Sequence, residues 1–363
     1  MPFFNYKNIK ITAISGAVPT DKISVDSFIP LNGEETVEKF KDMTGINEFR
    51  KTKPHQTASD LGFAAAKKII KTKNIDPNTI GALVFVAHST DYRRPATACV
   101  LHKRLGLSKD CAAFDVSLGC SALVYGLQIV CSMMNCSNIN RGLLIVGETM
   151  TKMVSEKDRT VNMMFGDGGA AILLEKDESC NRGINILLKT NGEGYKSIIA
   201  PAGGFRNIDA SHLEMRWSDG NIRTLYDIFM DGTEVFNFTI SDVPKCVKEF
   251  FEITNTCVND YDCFAFHQAN RFILKQLCKK LKIPTEKMPI CLDRYGNTSA
   301  PAAAFALCDA YGEKNNEAVK TMFCCFGVGL SWGVASVNID ANDIIPIFET
   351  DEYFEEGFIN TAM

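Results

Sequence analysis

Three side chains, remote from one another in the chain, could do chemistry together. Cys120 stands in Gly119-Cys120-Ser121, just after the apolar run 112–116 (AAFDV) and at the opening of a helical pattern (SALVYGLQIV). A cysteine there faces unpaired amide N–H groups at the positive end of a helix dipole, which predicts a lowered pKa and a nucleophilic thiolate. Gly119 lets the backbone bend sharply enough to present the sulfur. The chain holds 14 cysteines, and position alone singles out this one. His267 ends the apolar run 264–267 (FAFH), and Gln268-Ala269-Asn270 follow it. At a strand end a side chain emerges from the core, where α/β sheets place ligands; a histidine satisfied by backbone groups fits the same pattern. Asn297, between Gly296 and Thr298-Ser299, supplies a carboxamide, and it equally suits an N-cap for the helical run that follows.

The segments that must position these residues alternate between short apolar runs and helical patterns. Runs 82–87, 143–147, 170–174 and 264–267 read as buried strands, and 322–337 as two strands around a glycine turn. Segments 58–71, 235–251 and 271–281 have helical spacing, the first with lysines in its last turn. Strand–helix alternation along the whole length predicts α/β layers with largely parallel sheets. The two halves also echo each other. A buried run ends at Ala87-His88-Ser89-Thr90, and Gly119-Cys120 comes 32 residues after His88; another ends at Phe266-His267-Gln268, and Gly296-Asn297 comes 30 residues after His267. Each half then offers a glycine-rich turn, FGDGGAAILL from Phe165 and FGVGLSWGVASV from Phe326. This order suggests duplication of one unit, with halves at 1–178 and 183–342, a polar boundary at 177–182, and a tail at 343–363.

Composition narrows the function. Net charge is −4 with 39 basic and 43 acidic residues, which argues against a non-specific nucleic-acid binder. The longest apolar stretch is 16 residues and holds three glycines, too short for a transmembrane helix. The first ten residues do not read as a signal peptide, so reduced cysteines and a cytoplasmic location are expected. The cysteines lack metal-ligand spacing, and no metal is expected.

Gly-Cys-Ser on a helix, His-Gln-Ala-Asn about 150 residues later, Gly-Asn-Thr-Ser-Ala and a near-terminal Gly-x-Gly-Leu-Ser-Trp-Gly together resemble the β-ketoacyl-ACP synthase III family of the thiolase-like superfamily. AFDV before the cysteine, FGDGGAA from Phe165, and MDGTEVF from Met230 extend the resemblance, which runs from about residue 9 to residue 339. It implies a five-layer αβαβα fold of two pseudo-symmetric halves, with Cys120 and Asn297 at equivalent helix starts. It implies an acyl-Cys120 intermediate, with His267 and Asn297 assisting a malonyl-type thioester in a decarboxylative Claisen condensation to a β-ketoacyl product. The oxyanion would be held by the N–H groups of Cys120 and Gly329, and Phe165 would shield the cavity. No cofactor is implied; CoA or phosphopantetheine thioesters are the substrates, and an acyl carrier protein and a second copy of the chain are the expected partners.

Departures bear on substrate. The tryptophan that commonly precedes the family's Thr-Gly-Ile stretch is missing before Thr44-Gly45-Ile46, whereas Arg159 matches the family's CoA-contacting arginine. Arg94, in Arg93-Arg94-Pro95, stands where the resemblance places an apolar residue entering the acyl tunnel from the dimer partner, which argues against a long alkyl primer or for a polar or carboxylated one, or for an arginine that simply faces solvent. Arg271, Lys275, Lys279 and Lys282 form one stripe on a predicted helix, with Lys280 beside it; such a stripe would steer an acidic carrier protein, and a solvated helix face looks the same. A related acyltransferase, moving an acyl group to oxygen, nitrogen or a specialised acceptor without extension, is the alternative. A papain-like protease lacks support from the residues around Cys120, and a non-catalytic subunit is disfavoured by the presence of all three site residues.

Overall fold

The computed structural model describes residues 2–179, 183–314 and 318–359, so part of the polar boundary at 177–182 lies outside the described residues. Two mixed sheets organise the chain. The first orders its strands Phe348–Thr350, Ile9–Pro19, Asp167–Lys176, Arg141–Thr149, Ala82–Val86 and Ala112–Val116. The second orders them Phe3–Tyr6, Ile184–Thr190, Ser331–Ile339, Val319–Gly327 and Cys263–Phe266.

Four consecutive strands correspond between the sheets. In the first, Ile9–Pro19 pairs antiparallel with Asp167–Lys176, which pairs antiparallel with Arg141–Thr149, which runs parallel to Ala82–Val86. In the second, Ile184–Thr190, Ser331–Ile339, Val319–Gly327 and Cys263–Phe266 repeat the same three relations. His88 and His267 therefore lie just beyond the ends of equivalent strands.

Side-chain alternation along the strands creates the layers. Leu83, Phe85, Leu143 and Ile145 face the helices Ala58–Thr72 and Thr97–Leu105. Val84, Val86, Leu144 and Val146 point the other way, into a cluster with the helices Ala122–Asn135 and Ala302–Tyr311 and with Phe323, Ala335 and Val337 of the second sheet. The outer face of the second sheet, including Phe264, Phe266 and Val334, meets the helices Gly232–Thr254 and Arg271–Leu281. Five layers result, helix–sheet–helix–sheet–helix, on the thiolase-like plan expected.

The two halves exchange their ends. Phe3–Tyr6 joins the second sheet beside Ile184–Thr190, although it lies in the first half of the sequence. Residues 348–350, read as part of a separate tail, add a parallel strand to the first sheet in the register Phe348↔Ala17 and Thr350↔Pro19. Local polar groups set where helices begin. Thr57 and Asp60 form a capping box ahead of Ala58–Thr72. Asp231 accepts from Thr233 N and Glu234 N, 3.0 Å each, at the start of Gly232–Thr254.

Candidate active site

Cys120 sits in the turn between strand Ala112–Val116 and helix Ala122–Asn135, two residues before the helix. Asn297 stands five residues before Ala302–Tyr311. The bend-and-turn pattern at 119–121 recurs at 299–301, so the structural counterpart of Cys120 is Ala300. Asn297 is not at an equivalent helix start, and helix Ala302–Tyr311 has Pro301 at its N-cap with no side-chain cap bond. The carboxamide instead turns back on its own loop, accepting Ser299 N at Oδ1 over 3.0 Å, which leaves its Nδ2 to donate elsewhere. Asn297 is held at this depth by backbone pairing with the Phe165 strand end, Asn297 N to Met164 O at 2.9 Å and Gly166 N to Asn297 O at 3.2 Å.

His267 emerges one residue past strand Cys263–Phe266, its N–H bonded to Cys324 O at 2.8 Å. The ring stacks edge-on against Phe326, with centroids 5.3 Å apart. Of the residues after it, Ala269 and Asn270 also line the cavity described below, and polar side chains there make local structural bonds. Gln268 donates to Phe266 O and accepts from Cys291 N, and Asn270 caps helix Arg271–Leu281 by accepting from Ile273 N at 2.8 Å.

Cys120, His267 and Asn297 line one cavity of ≈ 440 Å³, a size that suits a small-molecule site. Phe165 lines it too. The rest of the wall is mostly apolar and rich in methionine: Met150, Met153, Met164 and Met230, with Ile198 and Ile228. Met43, just before Thr44-Gly45-Ile46 where the tryptophan is missing, is exposed and also lines the cavity.

Burial changes the electrostatics from those expected. It pushes the Cys120 thiol pKa up, against hydrogen bonds from Ser299 and the Val328 and Cys120 backbones that pull it down. The helix start thus does not by itself leave a low-pKa thiol. Ser299 Oγ lies 3.4 Å from Cys120 Sγ. Burial also holds His267 down to about 4, with a backbone contact at Ser299 acting the other way. Its imidazole is therefore a neutral partner near neutral pH.

The amide beside the sulfur belongs to Val328, not to Gly329. Gly327 passes so close that a Cβ there would stand 2.6 Å from Cys120 Cβ, and Val328 lines the cavity. Gly329, at φ +139°, serves the reversal from Val319–Gly327 into Ser331–Ile339, where a Cβ would meet Ser331 N at 2.9 Å. A one-residue shift in a tight turn moves an N–H to another side, and the spacing FGVGLS does not reveal which amide faces inward.

The expected substrate contacts separate into two places. Arg159 is exposed beside a second pocket, with Lys157 and Arg216, and its N–H bonds Asn221 Oδ1 at 3.1 Å. Its neighbour Thr160 lines the main cavity. Arg94 is exposed and does not line the cavity of its own chain; the tunnel contact expected of it is with a second copy. On helix Arg271–Leu281, Lys275 and Lys279 are exposed. Arg271 is committed instead to Asp42 O at 2.9 Å, and Lys280 donates to Ile240 O at 2.9 Å.

Sequence reasoning missed Ser299, Val328 and His88 as groups of the site. Only His88 carried a signal, its register opposite His267 in the repeat. Among the described residues there is no cluster of His, Cys, Asp and Glu able to hold a metal ion, no helix long and apolar enough to cross a membrane, and the described cysteines are free.

Comparison with known proteins agrees with this architecture. Residues 114–192 match the family described as 3-oxoacyl-[acyl-carrier-protein (ACP)] synthase III, and residues 251–339 match its C-terminal region. A β-ketoacyl-[acyl-carrier-protein] synthase III of Caldanaerobacter subterraneus is 36% identical over 80% of this chain and 85% of its own length. A putative 3-oxoacyl-[acyl-carrier-protein] synthase 3 of Campylobacter jejuni is 32% identical over 92% of this chain and 94% of its own. The crystal structure of a 3-oxoacyl-(acyl-carrier protein) synthase from Burkholderia xenovorans superposes with a TM-score of 0.90 at 32% identity, covering 96% of this chain and 99% of that one. The chain belongs to the β-ketoacyl-acyl-carrier-protein synthase III family, condensing acyltransferases on the thiolase-like fold.

Proposed function

We propose that Cys120 takes an acyl group from a CoA or phosphopantetheine thioester and that this acyl-enzyme is extended by a malonyl-type thioester. The observation that carries the reading is the convergence of Cys120, His267 and Asn297 on one mostly apolar cavity. The thiolate attacks the donor carbonyl and expels the donor sulfur as thiolate, leaving acyl-Cys120. The neutral imidazole of His267 and the free amide N–H of Asn297 donate to the carbonyl of the incoming malonyl thioester. Its carboxylate leaves as carbon dioxide, and the electron pair is held as an enolate on that oxygen, where fixed donors lower the barrier. The enolate carbon attacks acyl-Cys120, the tetrahedral oxyanion rests on the N–H groups of Cys120 and Val328, and Cys120 departs as thiolate from the β-ketoacyl product.

The methionine-lined wall favours an aliphatic acyl chain, because unbranched thioethers adapt to irregular apolar shapes. Lys157, Arg159 and Arg216 around the second pocket suit the phosphates of CoA. Lys275 and Lys279 suit an acidic carrier protein, and the active form is a homodimer. Intact-protein mass spectrometry with acyl-CoAs, then a malonyl thioester, tests the scheme. The expected result is an adduct on Cys120 that discharges with carbon dioxide and a β-keto product. In Asn297→Ala the adduct should still form while its discharge slows by about 100-fold. An adduct passed unchanged to an amine or alcohol would establish the alternative acyltransferase reading.

A further inference from the structure

The cavity carries a second imidazole that the reaction outlined above leaves unused. His88 follows strand Ala82–Val86 as His267 follows Cys263–Phe266, and it lines the same cavity as Cys120. Its ring packs on the turn that presents the nucleophile: a Cβ at Gly119 would stand 3.0 Å from His88 Nδ1. Behind the ring lies Glu148, on strand Arg141–Thr149, with a side chain closed off from solvent. Glu148 accepts His88 N at 2.8 Å, Ser89 N at 3.1 Å and Ser89 Oγ at 2.6 Å. Its Oε1 is 3.9 Å from His88 Nδ1. The carboxylate is thus fixed in place beside the ring, at ion-pair rather than hydrogen-bond distance from it.

The charges around the sulfur leave a gap that His88 fills. Among the described residues lining the cavity, the ionisable side chains are those of Cys120, His267 and His88. Burial keeps His267 neutral; it also pushes the Glu148 carboxyl up, against His88 and the Ser89 hydrogen bonds that favour its ionised form, and that charge opposes a thiolate at Cys120. Among the described residues, the charged group in contact with His88 is Glu148. A proton on His88 would turn this unfavourable field into an alternating series, carboxylate, imidazolium, thiolate.

We propose that His88, positioned by Glu148, is the base that activates Cys120. The S–H bond breaks, its electron pair stays on sulfur, and the proton bonds to a ring nitrogen of His88, which then remains as the counter-ion of the thiolate. No other reactant is needed. The inference rests on Cys120 being the nucleophile.

The test is the rate at which iodoacetamide alkylates Cys120 in the full chain, read on its own peptide from about pH 6 to about pH 10. Exposed Cys99, Cys136 and Cys257 serve as internal references. His88→Asn should slow Cys120 about tenfold or more near pH 7 and leave it unchanged near pH 10, with the references unmoved. His88→Gln carries the same test should the first variant fold poorly. Glu148→Gln should give a smaller loss near pH 7. Profiles identical to the unaltered chain, or a loss equal at every pH, would overturn the proposal. Acyl-CoA loading distinguishes the two readings. An adduct on Cys120 with an unmoved alkylation profile removes only the His88 role, whereas absence of any adduct removes the nucleophile itself.

Discussion

At His267, burial serves the reaction and taxes the fold. The folded protein protonates this ring only at about 4, whereas an unfolded chain takes up the proton near pH ~6.5. Between those values the unfolded state binds more protons, so stability falls as pH drops through the window. The loss approaches about 3 kcal/mol at the acid end. His267→Asn removes the titrating group, and the dependence of the urea midpoint on pH between about 4 and about 6.5 should flatten in that variant. An unchanged slope would mean that the ring is not held neutral. Near neutral pH the same burial makes His267 a hydrogen-bond donor without charge, suited to an enolate forming on a thioester oxygen and unsuited to pairing with a thiolate. Two imidazoles with different surroundings, one buried among aromatics and one backed by a carboxylate, divide donor and base roles between them.

At the element scale, the strand ends and helix starts deliver the site, and these were legible to different degrees. Helix Arg271–Leu281 and strand Ala112–Val116 occur with the bounds expected from the apolar period. The hairpin at 319–339 reads directly from its glycine turn because both strands are buried on both faces. Turn geometry was not legible. Cys120 precedes its helix by two residues and Asn297 by five, and the inward amide is that of Val328. On the basic stripe, carbonyl groups of neighbouring elements engage Arg271 and Lys280, a contact that the helical spacing does not reveal. Lys275 and Lys279 remain exposed on the outer layer, where charge governs encounter more than fold. The double variant Lys275→Glu, Lys279→Glu should lower kcat/KM for a malonyl carrier protein by about tenfold at low salt and flatten its salt dependence. Turnover of a small malonyl thioester should be unaffected. Equal losses with both substrates would place the effect in the fold instead.

Across the whole molecule, the repeat explains why a single cavity serves residues 147 positions apart: equivalent strands bring His88 and His267 toward the layer of helices between the sheets. The exchanged ends were invisible in the sequence, since strands of four and three residues have too few positions for any period to register. Polar side chains of the first half anchor the C-terminal end. Gln56 Nε2 donates to Glu352 O at 3.1 Å, and Arg50 Nη1 bonds Glu349 Oε1 at 2.8 Å. Arg104 is the deepest of these anchors. Its guanidinium pairs with Asp60 at 2.8 Å, both side chains at most 3% exposed, and lies between the rings of Phe63 and Phe354, 4.1 and 4.7 Å from their centroids. Glu352 stands 3.6 Å away and is 29% exposed. Removing the cation strands the Asp60 carboxylate in the core, which costs far more than the loss of an exposed pair returns. Arg104→Ala should therefore destabilise by about 3–5 kcal/mol, and Glu352→Gln by about 1 kcal/mol or less, measured as urea midpoints. If the tail's grip on the first sheet depends on the stacked guanidinium, limited proteolysis should cut within 348–359 faster in Arg104→Ala than in Glu352→Gln. Equal midpoints and equal cutting in the two variants would show that the tail is held by its strand pairing with residues 17–19 alone.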